Sequence, residues 1–171
     1  MSKTGEDLIR LAAAEQARLI AARKLSPVEV LDAHLARIAQ LNPALNAIVT
    51  LAAEQARTAA KAAEAAVMRG DALGVLHGLP VVIKDVTETA GLRTTYGCPL
   101  YKDHVPNADA EVVARLRRAG AIILGKTNTP EFATGANTVN DVFGATRNPW
   151  NTGLSPAGSS GGSAVAAATA M

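Results

Sequence analysis

The sequence predicts an α/β protein with a mixed, mostly parallel sheet flanked by helices and a helical layer ahead of the first strand. Three observations carry that expectation. Residues 8–69 repeat apolar positions at helical spacing, residues 79–83 and 121–124 are short, apolar and rich in β-branched side chains, and a helical segment lies between those two runs. Parallel neighbours need such a crossover, so the runs and the segment between them read as a βαβ unit.

The elements follow in order. Leu8, Leu11, Ala12, Glu15, Leu19 and Ile20 recur with the period of one amphipathic helix ending near Lys24. Ser26 can cap the next helix, Pro27 suits its first position, and Glu29 completes a capping box. The apolar face is Val30, Leu31, Leu35 and Ile38, and Asn42-Pro43 should stop the helix. Alanine-rich residues 51–69 have high helix propensity, with Glu54, Arg57, Lys61 and Glu64 as a charged face and Gly70-Asp71 as the stop. Lys84-Asp85 interrupts the first strand; a turn-rich loop is predicted over 89–107, a helix over 109–119 and the second strand at 121–124. Residues 164–171 are apolar, lack a polar cap and read as a helix cut midway, whose burial needs more sheet than two strands provide.

Composition narrows the function classes. The 171 residues are 49% hydrophobic and 19% charged, enough to build a packed core rather than a disordered chain. Seventeen Lys and Arg are interleaved with fifteen Asp and Glu for a net charge of +2, so no nucleic-acid footprint is present. Aromatic residues at 3% argue against base stacking and against a pocket walled by many rings. Cys98 stands alone, which excludes an intrachain disulfide, and His34, His77 and His104 form no metal-ligand pattern. No apolar run approaches the ~20 residues of a membrane span. The expectation is a cytoplasmic protein with no metal, cofactor, nucleic-acid or membrane partner.

Two segments can carry chemistry. Lys84 ends an apolar strand, where a lysine must snorkel to water, pair with Asp85 or sit desolvated. Residues 156–163, Pro-Ala-Gly-Ser-Ser-Gly-Gly-Ser, join a turn to an apolar helical run, and their glycines let backbone amides approach a ligand. A linker, an anion-binding loop and part of a catalytic site are all open from composition alone, although the lysine of a phosphate-binding loop is missing.

Taken in order, Gly78-Leu79-Pro80-Val81-Val82-Ile83-Lys84-Asp85, Gly125-Lys126-Thr127-Asn128, Arg147-Asn148-Pro149-Trp150 and Gly158-Ser159-Ser160-Gly161-Gly162-Ser163 resemble the amidase-signature family. The resemblance covers nearly everything after Leu25. It implies the amino-terminal part of the amidase-signature fold, with residues 1–171 as one incomplete domain: a helical layer over about 1–70 and the start of an α/β core over about 75–171. It further implies a Ser-Ser-Lys catalytic set in which Lys84 is the base and Ser159, preceded by a cis peptide at Gly158-Ser159, is the bridging serine. The nucleophilic serine of the family lies farther on, in a Gly-Gly-Ser segment beyond Met171. Ala133, Thr134, Gly135 and Ser160 are the implied substrate-binding residues. Ala157 stands where the family usually has glycine, so the loop entry is expected to differ slightly, and Phe132 is expected to pack in the core.

The chemistry fits these residue types. A serine hydroxyl is a weak nucleophile until a base takes its proton, and a lysine is such a base only when desolvation keeps it neutral. The leading expectation is therefore an amidohydrolase cleaving carboxylic amides, or related anilides, esters or carbamates, through an acyl-enzyme, as a homodimer when complete. One alternative is the glutamine-hydrolysing subunit of a complex that matures misacylated transfer RNA. Those subunits carry Asp-Glu-Phe-Ala-Met and Gly-Ser-Ser-Thr-Glu where this chain has Pro130 before Glu131-Phe132-Ala133-Thr134 and then Gly135-Ala136-Asn137-Thr138. The other alternative is a non-catalytic fragment of a split or nicked amidase, which would need a companion chain.

Overall fold

A computed structural model describes residues 5–171. The helical layer begins as two pieces rather than one, α1 (Gly5–Ile9) and α2 (Ala13–Ala21). The side-chain amide of the buried Gln16 donates to the carbonyls of Leu8 and Leu11, satisfying backbone groups at the break that an uninterrupted helix would use itself. The capping box is present as expected on α3 (Pro27–Leu45): Ser26 Oγ accepts from Val28 and Glu29, and Glu29 accepts from the Ser26 amide.

Contrary to expectation, α3 runs through Pro43 and closes on a left-handed Asn46. Asn42 makes this end stable, because its Oδ1 accepts from the amides of Ala47 and Ile48 and its Nδ2 donates to the Ile48 carbonyl. The chain thereby turns directly into β1 (Ile48–Leu51), a strand the sequence reading placed partly in the next helix. That helix, α4 (Ala53–Arg69), ends at Gly70 with φ 80°, the stop expected there.

The main sheet holds β2 (Pro80–Lys84) and β3 (Ile122–Thr127) in parallel, with β1 antiparallel on the far side of β3, in the order β1-β3-β2. β3 extends past Leu124 to include Gly125, Lys126 and Thr127, and every one of its residues is buried. At Gly125 a Cβ would lie 2.3 Å from the Thr50 carbonyl, so glycine is required where β1 crosses close. The crossover helix is α5 (Glu111–Arg118), and a small hairpin pairs β4 (Val139–Asn140) with β5 (Gly144–Ala145).

Helix α6 (Gly161–Thr169) packs against the sheet through Val165 and Ala166, in one core with Leu31, Leu35, Ile38, Ile122 and Leu124. It is not broken off in mid-turn: Ala170 is left-handed and the Met171 amide donates to the Ala166 carbonyl. Arg37 and His34 of α3 contact the carbonyls of Thr169 and Ala170, at the helix end where a cation is favoured. Among the described residues no helix is long and apolar enough to cross a membrane.

Candidate active site

In a strand successive side chains face opposite sides of the sheet, and at the carboxyl ends of β2 and β3 this alternation sets out two groups. Lys84 pairs in register with Thr127, and both engage the serine-rich segment at the start of α6. Lys84 Nζ lies 2.7 Å from Ser159 Oγ, and Thr127 shares a hydrogen bond of 2.7 Å with Ser163. The neighbours Asp85 and Lys126 instead reach partners in the 87–95 loop. Lys84 therefore does not pair with Asp85, whose carboxylate accepts from the Thr95 amide and hydroxyl. Burial lowers the Lys84 pKa from the ordinary lysine value, and no described carboxylate offsets that.

The serine loop is held at both ends by one residue that the sequence reading passed over. Thr138, buried just ahead of β4, donates to the Ala157 carbonyl at 2.8 Å and accepts from the Gly161 amide at 3.0 Å. Thr129 adds a bond of 3.1 Å to the Ser159 carbonyl. Between these grips the Gly158-Ser159 peptide is cis, as the family resemblance implies. Ala157, at the loop entry, adopts φ 63°, a left-handed conformation that a glycine reaches without strain.

Tight contact explains the next two glycines. A Cβ on Gly161 would sit 2.2 Å from Thr138 Oγ1, and one on Gly162 would sit 2.4 Å from the Asn128 amide nitrogen and 2.7 Å from the Ala47 carbonyl. The start of α6 is thus pressed onto the Thr127-Asn128-Thr129 stretch. Asn128 is itself fixed in a buried polar layer: it donates to Gly144 and Thr146, and accepts from Asn140.

Of the residues expected to bind substrate, Ser160 is exposed and caps no amide with its side chain. Ala133 is half-buried, while Thr134 and Gly135 are exposed. No described hydrogen bond links those three to Lys84 or Ser159, although Ala136, next in sequence, lies against Gly158. Phe132 is not in the core: it has φ 49°, is 53% exposed, and its ring meets those of Tyr96 and Tyr101 at 6.1 and 6.0 Å. Three of the chain's five aromatic residues, Tyr96, Tyr101 and Phe132, are therefore gathered beside this stretch, with His104 stacked on Tyr96. Cys98 is buried below them, its thiol pKa raised chiefly by the Glu131 side chain. Among the described residues no group of three His, Cys, Asp or Glu side chains could hold a metal.

Known proteins resemble this chain in sequence and in fold. The chain is 50% identical over 162 residues to the A subunit of a glutamyl-tRNA(Gln) amidotransferase from Acidothermus cellulolyticus, an alignment covering 95% of this chain and 32% of that protein. A bacterial aryl acylamidase of the amidase-signature family superimposes with TM-score 0.87 at 34% identity, over 91% of this chain and 33% of the other. A fatty acid amide hydrolase gives TM-score 0.93 at 26% identity, over 99% of this chain and 30% of the other. The chain thus spans about a third of the length of the curated relatives it matches. Residues 29–171 match the family model described as Amidase, and the chain belongs to that family of amidase-signature enzymes.

Proposed function

We propose that this chain supplies the base and the relay of a Ser-Ser-Lys amidohydrolase, Lys84 and Ser159, while the nucleophilic serine comes from outside these residues. The observation that supports this reading best is the 2.7 Å approach of Lys84 Nζ to Ser159 Oγ at the end of β2. The neutral amine takes the Ser159 proton as Ser159 takes that of the nucleophile, whose oxygen then attacks the amide carbon. Returning the proton along the same path lets the amine leave, and water resolves the acyl-enzyme by the reverse relay. Ser160 and the 133–135 stretch are proposed to contact the substrate, and residues 1–171 to form the first part of a single domain. The complete enzyme is proposed to be cytoplasmic and to work without a metal or organic cofactor.

A second reading is favoured by the names of curated relatives, of which one is 50% and others are 44–47% identical and all are amidotransferase A subunits. In that reading glutamine is the amide hydrolysed and companion subunits receive the ammonia. Specific activity of the complete enzyme toward glutamine and toward a chromogenic anilide separates the two. Anilide hydrolysis at or above the glutaminase rate is expected; a strong glutaminase preference would reverse the order.

A further inference from the structure

Among the described residues the chain buries one lysine fully, on the side of the sheet opposite to the half-buried Lys84. Lys126 has no exposed surface, and its ammonium meets three oxygens: the Thr87 carbonyl at 2.5 Å, Thr94 Oγ1 at 2.9 Å and Thr89 Oγ1 at 3.0 Å. Three donors matched by three acceptors is what an ammonium withdrawn from water requires. Burial nevertheless brings its pKa down to about 8, against the opposing pull of Asp85, Glu88 and Asp109. An apolar cluster of Ile83, Leu92, Val113 and Ile123 lies on this side of the sheet, so the ion rests on a small buried polar group, Thr89, Thr94, Thr95 and Asp85, set beside it.

What Lys126 holds points to a further role. The Lys84 carbonyl accepts from the Thr87 amide at 3.0 Å, which closes the turn that ends β2. The Thr87 carbonyl in turn accepts from Lys126. One ammonium thus holds the far side of the turn whose first residue is Lys84. Asp85, inside the same turn, is anchored by its amide to the Thr127 carbonyl and by its carboxylate to Thr95. The Asp85 carbonyl also accepts from the Tyr96 amide, so the residue after Lys84 is tied both to β3 and to the loop that follows the turn.

We propose that Lys126 is a positioning residue whose buried ammonium fixes the 84–87 turn and so keeps the Lys84 amine on the Ser159 hydroxyl. The proposal rests on reading Lys84 as the base. Its test uses this chain, labelled with carbon-13 and nitrogen-15 lysine, in which NMR reads two quantities. These are the Lys84 titration and the nuclear Overhauser contact between the Lys84 ε-protons and the Ser159 β-protons. In folded Lys126→Met that contact should fall severalfold and the Lys84 pKa should rise toward the ordinary lysine value. If Lys126→Met does not fold, Thr94→Val keeps the charge and removes one of the three acceptors, and both readouts should move in the same direction. A variant that loses thermal stability but keeps the contact and the Lys84 titration overturns the proposal, because that is a purely structural lysine. A wild-type chain in which Lys84 titrates normally and shows no Ser159 contact would instead defeat the reading of Lys84 as the base.

Discussion

Lys84 illustrates how far a single residue can be read from sequence. A lysine closing a run of Val and Ile is visible by eye, but whether it snorkels, pairs or is desolvated depends on what folds over it. The structure gives it Ser159 and not Asp85. The lowered pKa has a kinetic consequence: the neutral amine is the active form, so kcat/KM of the complete enzyme should rise with pH on a limb whose midpoint lies below the ordinary lysine value of about 10.4. A limb at the ordinary value would mean that the amine is solvated. Ala157 offers a test of the backbone, since its φ of 63° is unfavourable for a residue with a Cβ. Ala157→Gly should leave the fold unchanged and raise thermal stability by up to about 1 kcal/mol, measured by denaturant melts. A loss of stability would show that the loop entry is not left-handed in solution.

Among the elements, those with local punctuation were legible. The Ser26 capping box and the Gly70 stop both fall where the residues place them, because each signal lies within a few positions of the end it defines. β1 was hidden because it has four residues, runs straight into α4 and finds its partner β3 only through folding. Thr138 was equally silent: a lone threonine becomes a clamp only when Ala157 and Gly161 arrive at its hydroxyl. Helix α6 carries the sharpest prediction at this scale. Gly162→Ala would drive a methyl group into the backbone of Asn128 and Ala47, and neither is the end of a flexible side chain. It should cost roughly 1–3 kcal/mol or more in unfolding experiments, with the Ser163–Thr127 contact disturbed. An unchanged melting curve would contradict the packing of α6 on the Thr127-Asn128-Thr129 stretch.

Across the whole molecule, two lysines serve one sheet end from its two faces. Lys84 meets the serine loop, and Lys126 secures the loop behind it. The α/β class and the helical layer were legible because periodicity and the βαβ spacing are properties of long segments. Neither the gathering of Tyr96, Tyr101, His104 and Phe132 beside the 133–135 stretch nor the polar layer of Asn128, Asn140 and Thr146 could be read in advance, since each is assembled from residues distant in sequence. Composition alone, with 3% aromatic residues, pointed away from such a cluster. The central claim is that proton transfer runs from Ser159 to Lys84, and the most direct measurement is steady-state amide hydrolysis by the complete enzyme carrying Lys84→Ala beside one carrying Ser159→Ala. The account predicts that Lys84→Ala lowers kcat by about 10³-fold or more while Ser159→Ala loses less, because water can stand in for a relay hydroxyl but not for the base. Near-normal turnover in Lys84→Ala would contradict it.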